Sequence, residues 1–186
     1  TDASLDNEGL FGETFKVTGN KNDFLFGSLI ADGYEGWIPK NCLGDIPVPN
    51  ARLIAPMTHV TLRESVKSPS CFSLSFRAVV NVINTKDDRA KIATATGHAF
   101  LPLRHIQFLA DVKKKPSAEN ELVDIDWVGF AERLVNAPYK WGGRTAWGLD
   151  CSALVQLSVA AAGRDVPRDS GPPHDSGAHS EVEAGR

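Results

Sequence analysis

Cys151 is the residue with the most chemistry to offer. Cys151, Leu154, Val155, Val159 and Ala162 recur at helical spacing on one face. That pattern predicts a helix from Cys151 to Ala162, capped by Asp150 or a neighbour, stopped by Gly163, with Pro167 beyond. A thiol at a helix start meets unpaired backbone N–H groups and the positive end of the helix dipole. Both favour the thiolate, which is the nucleophile. Asp150 and Ser152 on either side are polar, so this helix start faces water or a reactive site. The chain reaches it through Tyr139-Lys140-Trp141-Gly142-Gly143, where paired glycines permit close backbone approach to a ligand or to the helix. Each residue also has a plainer reading: Cys151 as a small buried apolar residue, Tyr139 and Trp141 as core aromatics, Asp150 as a helix cap alone.

The elements that must position these residues change character along the chain. An earlier helix is expected where Trp127, Val128, Ala131, Leu134 and Val135 fall at helical spacing, with Asp124 or Asp126 as cap and Pro138 as stop. Before it, Lys113 to Asn120 is polar, contains Pro116, and reads as a linker. The first ~110 residues read as β. Phe24 to Ile30 and Tyr34 to Ile38 flank the hairpin signal Asp32-Gly33, and Pro39 ends the second run. A second copy follows: Val80, Val82 and Ile83 echo Phe15 and Val17, and Phe100-Leu101-Pro102 echoes Trp37-Ile38-Pro39. Leu43 and Ile106 each lie four residues beyond the proline. This is a weak tandem repeat of one small barrel, joined through the proline-rich stretch 47–56. Trp37 is expected in a core and Cys42 and Cys71 as inert.

Composition sets the outer limits. The chain has 186 residues, 42% hydrophobic and 23% charged, with a net charge of −3. These are globular values. No concentrated basic face exists for nucleic acid, the one basic run being Lys113-Lys114-Lys115. No run of about 18 apolar residues makes a membrane-spanning helix. Three widely spaced cysteines without a C-x-x-C give neither a disulfide framework nor a metal site, and favour a compartment that keeps thiols reduced. No charged-then-apolar leader opens the chain, although residue 1 is Thr and the single methionine is Met57.

Tyr139-Lys140-Trp141-Gly142-Gly143, Gly148-Leu149-Asp150-Cys151-Ser152-Ala153-Leu154-Val155-Gln156, Ala162-Gly163 and Pro167-Arg168-Asp169-Ser170 together resemble the NlpC/p60 family of bacterial cysteine peptidases. The upstream repeat resembles the tandem bacterial SH3-like domains that precede this peptidase in murein-recycling members, with Asp32-Gly33-Tyr34-Glu35-Gly36-Trp37 in the first barrel. The resemblance implies all-β tandem SH3-like barrels at 1–46 and 50–111, then an α+β papain-like domain over 119–186, truncated, with a disordered tail from about 171. It implies Cys151 as nucleophile and Tyr139 as a neighbour that holds the oxyanion or positions the thiolate. Asp150 then binds the free amino terminus of a murein stem peptide, Tyr34 reaches into the same pocket, and Ser152 and Trp141 complete the substrate contacts. The implied reaction is hydrolysis of the bond between γ-D-glutamyl and a diamino acid with no cofactor or metal, expected in the cytoplasm, or in the periplasm or cell envelope if a leader has been removed. The family's catalytic histidine lies on a later strand, beyond the point where this chain ends, 35 residues after Cys151, so the chain as given is expected to lack it and to be inactive. His174, Asp175 and His179 match no strong zinc pattern. The rival reading is a non-catalytic module that binds murein or a protein through the barrels.

Overall fold

The computed structural model describes residues 4–45, 47–110 and 127–169. The expected linker, the aspartate caps ahead of Trp127, and the tail with its histidines lie outside the described residues. The first β unit is an antiparallel meander of β1 (Phe15–Lys21), β2 (Phe24–Leu29) and β3 (Glu35–Pro39). The Asp32-Gly33 signal is confirmed: Gly33 sits at φ 74°, and the Asp32 carboxylate accepts from the Tyr34 amide at 3.1 Å. The turn thus sets the start of β3 and the place of Tyr34.

The second unit comprises β4 (Ala51–Leu53), β5 (Met57–Thr61), β6 (Ser70–Ser75), β7 (Val79–Val80), β8 (Val82–Lys86), β9 (Arg89–Thr94), β10 (Gly97–Pro102) and β11 (Ile106–Phe108). They form a five-stranded sheet, β6-β5-β10-β9-β8, and a three-stranded sheet, β11-β4-β7. Leu53, Val60, Val80, Ile92 and Leu101 are fully buried between them. The stretch read as a plain joint therefore contains a core strand, β4.

The repeat seen in sequence is geometric. In both copies a bulged strand pairs with the next, between Val17 and Gly19 and between Val82 and Asn84. Both hairpins turn through a left-handed residue, Asn22 or Asp87. Both end in proline followed by a 3-10 turn, Lys40–Cys42 or Leu103–His105. The first residue of each 3-10 turn donates to the preceding hairpin, Lys40 to the Asp23 carbonyl and Leu103 to the Asp88 carbonyl. The sheets are nonetheless not closed barrels. In the first unit the strands bury only one large apolar side chain, Leu29, while Val17, Phe24 and Trp37 stand exposed. So small an apolar face gives no inward layer for closure. Trp37 is 53% exposed rather than core, leaning on Phe26 at 5.2 Å between ring centroids.

The C-terminal segment has α1 (Trp127–Glu132), a short hairpin of β12 (Arg144–Thr145) and β13 (Gly148–Leu149), and α2 (Cys151–Ala161). Gly163 at φ 78° closes α2 as expected. Both helices present faces other than those the sequence pattern indicated. α1 ends well before Pro138 and buries Phe130, with Leu134 in the turn beyond, leaving Trp127, Val128 and Val135 exposed. The reason is Phe76 of the second β unit, whose ring lies 4.2 Å from that of Phe130. α2 buries Ala153, Leu157, Ala160 and Ala161 in the same cluster, and turns Cys151, Leu154 and Val155 outward.

Candidate active site

Asp150 holds the site together. It is the N-cap of α2, in extended backbone, and its Oδ1 accepts the Ala153 amide at 2.8 Å. Oδ1 also accepts the Ser152 hydroxyl at 3.1 Å, and Oδ2 accepts the Gly142 amide at 3.0 Å. Arg168 completes the shell, donating to Oδ2 at 2.6 Å and to Oδ1 at 3.1 Å. Both side chains are buried, with exposures of 1% for Arg168 and 9% for Asp150. Burial pushes the Asp150 carboxyl up, but hydrogen bonds from Arg168 and the Ala153 amide, the Arg168 charge and the Ser152 hydroxyl outweigh it. The net effect holds the carboxyl below its ordinary value. Arg168 also donates to Ser152 Oγ at 2.6 Å and to Asn7 at 2.8 Å.

Cys151 is the first residue of α2 and is exposed. Cys42 and Cys71 are exposed too, against the buried reading of such residues. The loop before α2 folds back on itself: Tyr139 bridges Leu149, Lys140 donates to the Leu149 carbonyl, and the Asp150 amide donates to Gly143. Gly142 has φ 71°, and a Cβ there would lie 2.4 Å from the Leu5 carbonyl oxygen, so glycine is required. Tyr139 and Trp141 stand out into solvent, 66% and 65% exposed, which removes the core-aromatic reading for both. Among the described residues, no hydrogen bond or ring contact joins either to Cys151.

Tyr34 arrives from the turn before β3. Its phenol is raised above its ordinary value by burial, by the charges of Asp169 and Asp6, and by a hydrogen bond to Asp169, with Arg168 opposing. Thus Asp150, Ser152 and Tyr34 meet through Arg168 and Asp169. Those two residues stood inside the Pro167-Arg168-Asp169-Ser170 motif without an assigned role.

A second cluster went unread in the sequence. The segment 4–13 lies against the loop, and the buried Arg144 donates to the Glu8 carbonyl at 2.9 Å and to both Glu13 carboxylate oxygens at 3.2 Å. Glu8 in turn accepts the Arg144 amide at 2.9 Å and pairs with Lys140. The signal available was a general one, that buried arginines require partners. Which acids they meet is not encoded locally. Among the described residues, no group of three or more His, Cys, Asp or Glu side chains could hold a metal ion.

Two segments of the chain match known family models. A family model for the bacterial dipeptidyl-peptidase SH3 domain matches residues 1–43, and the NlpC/P60 family model matches residues 136–185. The chain is 25% identical over 181 residues to a gamma-D-glutamyl-L-lysine dipeptidyl-peptidase of Bacillus subtilis (strain 168), covering 92% of this chain and 58% of that protein. It is 21% identical over 188 residues to the protein of the same name from Bacillus cereus (strain ATCC 10987 / NRS 248), covering 93% of this chain and 55% of that one. The chain thus spans little more than half the length of these relatives. A solved structure of an NlpC/P60 family protein from Bacillus cereus ATCC 10987 superposes with a TM-score of 0.70 at 20% identity, covering 90% of this chain and 58% of that chain, and shows the shared fold. Residues 136–185 thus match the NlpC/P60 family model, and residues 1–43 match that of the bacterial dipeptidyl-peptidase SH3 domain.

Proposed function

We propose that this chain carries the nucleophile and the amino-end pocket of a murein-peptide hydrolase that cleaves γ-D-glutamyl–diamino-acid bonds. The observation that carries the reading is the cap of α2. A buried Asp150–Arg168 pair fixes the helix start, so Cys151 is presented to solvent from a rigid position. In the proposed reaction the Cys151 thiolate attacks the scissile carbonyl carbon. The amine leaves with a proton, and water then hydrolyses the thioester. Proton transfer requires a base within hydrogen-bond reach of the thiol. The family resemblance assigns that task to a histidine on a later strand. Tyr139 and Trp141, exposed on the loop before Cys151, flank the substrate in this reading.

Pocket roles follow from which carboxylates are free. Both oxygens of Asp150 are taken by Arg168 and by the Gly142 and Ala153 amides. We therefore assign Asp150 and Ser152 to positioning α2. The exposed Asp169, whose charge acts on the Tyr34 phenol, is the acid open to a peptide ammonium group. The open β units are read as SH3-like domains at 1–46 and 50–111, with the peptidase segment from 119, and the activity as cytoplasmic. The names of the two Bacillus relatives support this substrate class.

The test uses the full 186-residue chain and a tripeptide ending in γ-D-glutamyl-L-lysine. Lysine release that disappears in Cys151→Ala supports the hydrolase. Stoichiometric binding without release, weakened by Asp169→Asn, would favour the non-catalytic binding module instead. Neither release nor binding refutes both.

A further inference from the structure

The second β unit contains a cavity of about 220 Å³ that the proposed peptidase chemistry does not use. It is lined by Asn84 and Lys86 of β8, Arg89 and Lys91 of β9, Phe100 of β10 and Glu64 from the loop between β5 and β6. None of these residues comes from the segment that carries Cys151.

Arg89 is the unusual member. It is only 6% exposed, yet among the described residues no carboxylate pairs with it. Its Nη2 donates to Thr61 Oγ1 at 2.6 Å, and that hydroxyl is itself committed as a donor to the Arg63 carbonyl at 2.8 Å. The buried Nε–H has no acceptor. Among the described residues that line the cavity the sole acid is Glu64, and it is engaged by Lys86 at 3.2 Å. Three cations therefore line the cavity against one carboxylate. A buried guanidinium without a counter-charge is costly to maintain, and its planar fork fits the oxygens of a carboxylate or phosphate. The Asn84 amide adds a neutral donor, and the Phe100 ring gives one apolar wall.

We propose that this cavity binds a small oxyanion, the phosphoryl or carboxylate group of a soluble ligand, through Arg89, Lys86 and Lys91. The anion completes the open donors of Arg89 and balances the excess positive charge. This site is independent of the function proposed for Cys151.

The experiment is an amide NMR titration of the full chain with sodium phosphate, sodium chloride being withdrawn to keep ionic strength fixed. The expected result is saturable shifts at Asn84, Arg89, Lys91 and Phe100, with at least threefold weaker binding in Lys86→Ala and in Lys91→Ala. Both variants keep the wild-type Tm, because neither lysine belongs to the packed interior. Arg89→Gln abolishes saturation, and the two lysine variants carry the test should it fail to fold. A parallel titration with sodium acetate separates the sources: saturation by acetate assigns a carboxylate ligand, saturation by phosphate alone a phosphoryl group. Shifts that grow linearly with both anions, or binding unchanged in both lysine variants, would overturn the proposal.

Discussion

Replacing Arg168 by methionine tests the claim that a buried ion pair holds the start of α2. The substitution keeps an unbranched apolar stem and removes four hydrogen bonds: two to Asp150, one to Ser152 and one to Asn7. Removing one partner of a buried pair costs about 3–5 kcal/mol, because the other charge stays buried. Asp150 would still accept from the Gly142 and Ala153 amides and from Ser152, so the low end applies, about 3 kcal/mol. For a chain of this size that corresponds to roughly 6–12 °C in Tm. Arg77→Met is the control, since Arg77 pairs with an Asp165 side chain that is 78% exposed. A pair of that kind contributes about 0–1 kcal/mol. Urea unfolding followed by tryptophan fluorescence reads the right region, because Trp127, Trp141 and Trp147 all lie in the C-terminal segment. The pH dependence gives a second readout. The Asp150 carboxyl is depressed in the folded state. Its contribution is full above the unfolded value of about 3.9 and is lost as pH falls through the folded value. Without Arg168 the folded value rises, so the acid-side loss shrinks and the variant's penalty is smaller at pH 3 than at pH 7. An Arg168→Met penalty no larger than that of Arg77→Met, or one independent of pH, would refute the reasoning.

Further outcomes follow from the same geometry. Glu13→Ala leaves the buried Arg144 with the Asp32 carboxylate alone, 3.9 Å away, among the described residues, and should cost about 3 kcal/mol in chemical denaturation, with faster proteolysis within residues 4–13. Gly142→Ala forces a left-handed backbone on a residue with a Cβ and drives that Cβ into the Leu5 carbonyl, so a loss above about 1 kcal/mol is expected by the same method. Leu157→Ala should cost about 2–5 kcal/mol, whereas Val155→Lys on the outward face should stay within about 0.5 kcal/mol. Equal losses would mean the face of α2 is wrongly assigned. Tyr34→Phe concerns the alkaline side. The raised phenol contributes stability below its unfolded value of about 10 that is lost as pH rises further, so the variant should show a shallower alkaline decline in Tm.

Local chemistry was legible in the sequence and long-range packing was not. Asp32-Gly33, Pro39, Pro102 and Gly163 act within a few residues, through turn geometry or a missing N–H, and each stands where its residue type requires. The start of α2 at Cys151 and its Asp150 cap were legible for the same reason. Helix faces were not, because a face is chosen by what lies opposite it. Phe130 drew no attention until Phe76, from a different unit, supplied its partner. Leu154 and Val155 have the spacing of a buried stripe, yet Ala153 and Leu157 pack better against α1 and are the ones buried. Closed barrels were expected from strand count and turn spacing alone. In the strands of the first unit Leu29 is buried while Val17, Phe24 and Trp37 face outward, so the sheet does not enclose a core. The site shows the same division: Asp150 and Ser152 are sequence neighbours, but Arg168, Tyr34 and Asn7 reach them only through tertiary structure.

The clasp formed by residues 4–13 sets an order of events during synthesis. Asn7 waits for Arg168, and Glu8 and Glu13 wait for Arg144, partners separated along the chain by 161, 136 and 131 residues. At a ribosomal rate of about 5–20 residues per second, residues 4–13 stand without these partners for roughly 7–30 s after they are made. Phe11 and Gly12 give it an interim berth, since Phe11 stacks on Phe72 and its carbonyl accepts the Val79 amide, both available far sooner. Residues 4–13 can thus dock on the middle unit first, and their acidic side chains meet Arg144 and the helix start only after residues 144 and 168 have been made. Variants that loosen that berth should show their defect first in the yield of newly made protein, and only later in the stability of what has already folded.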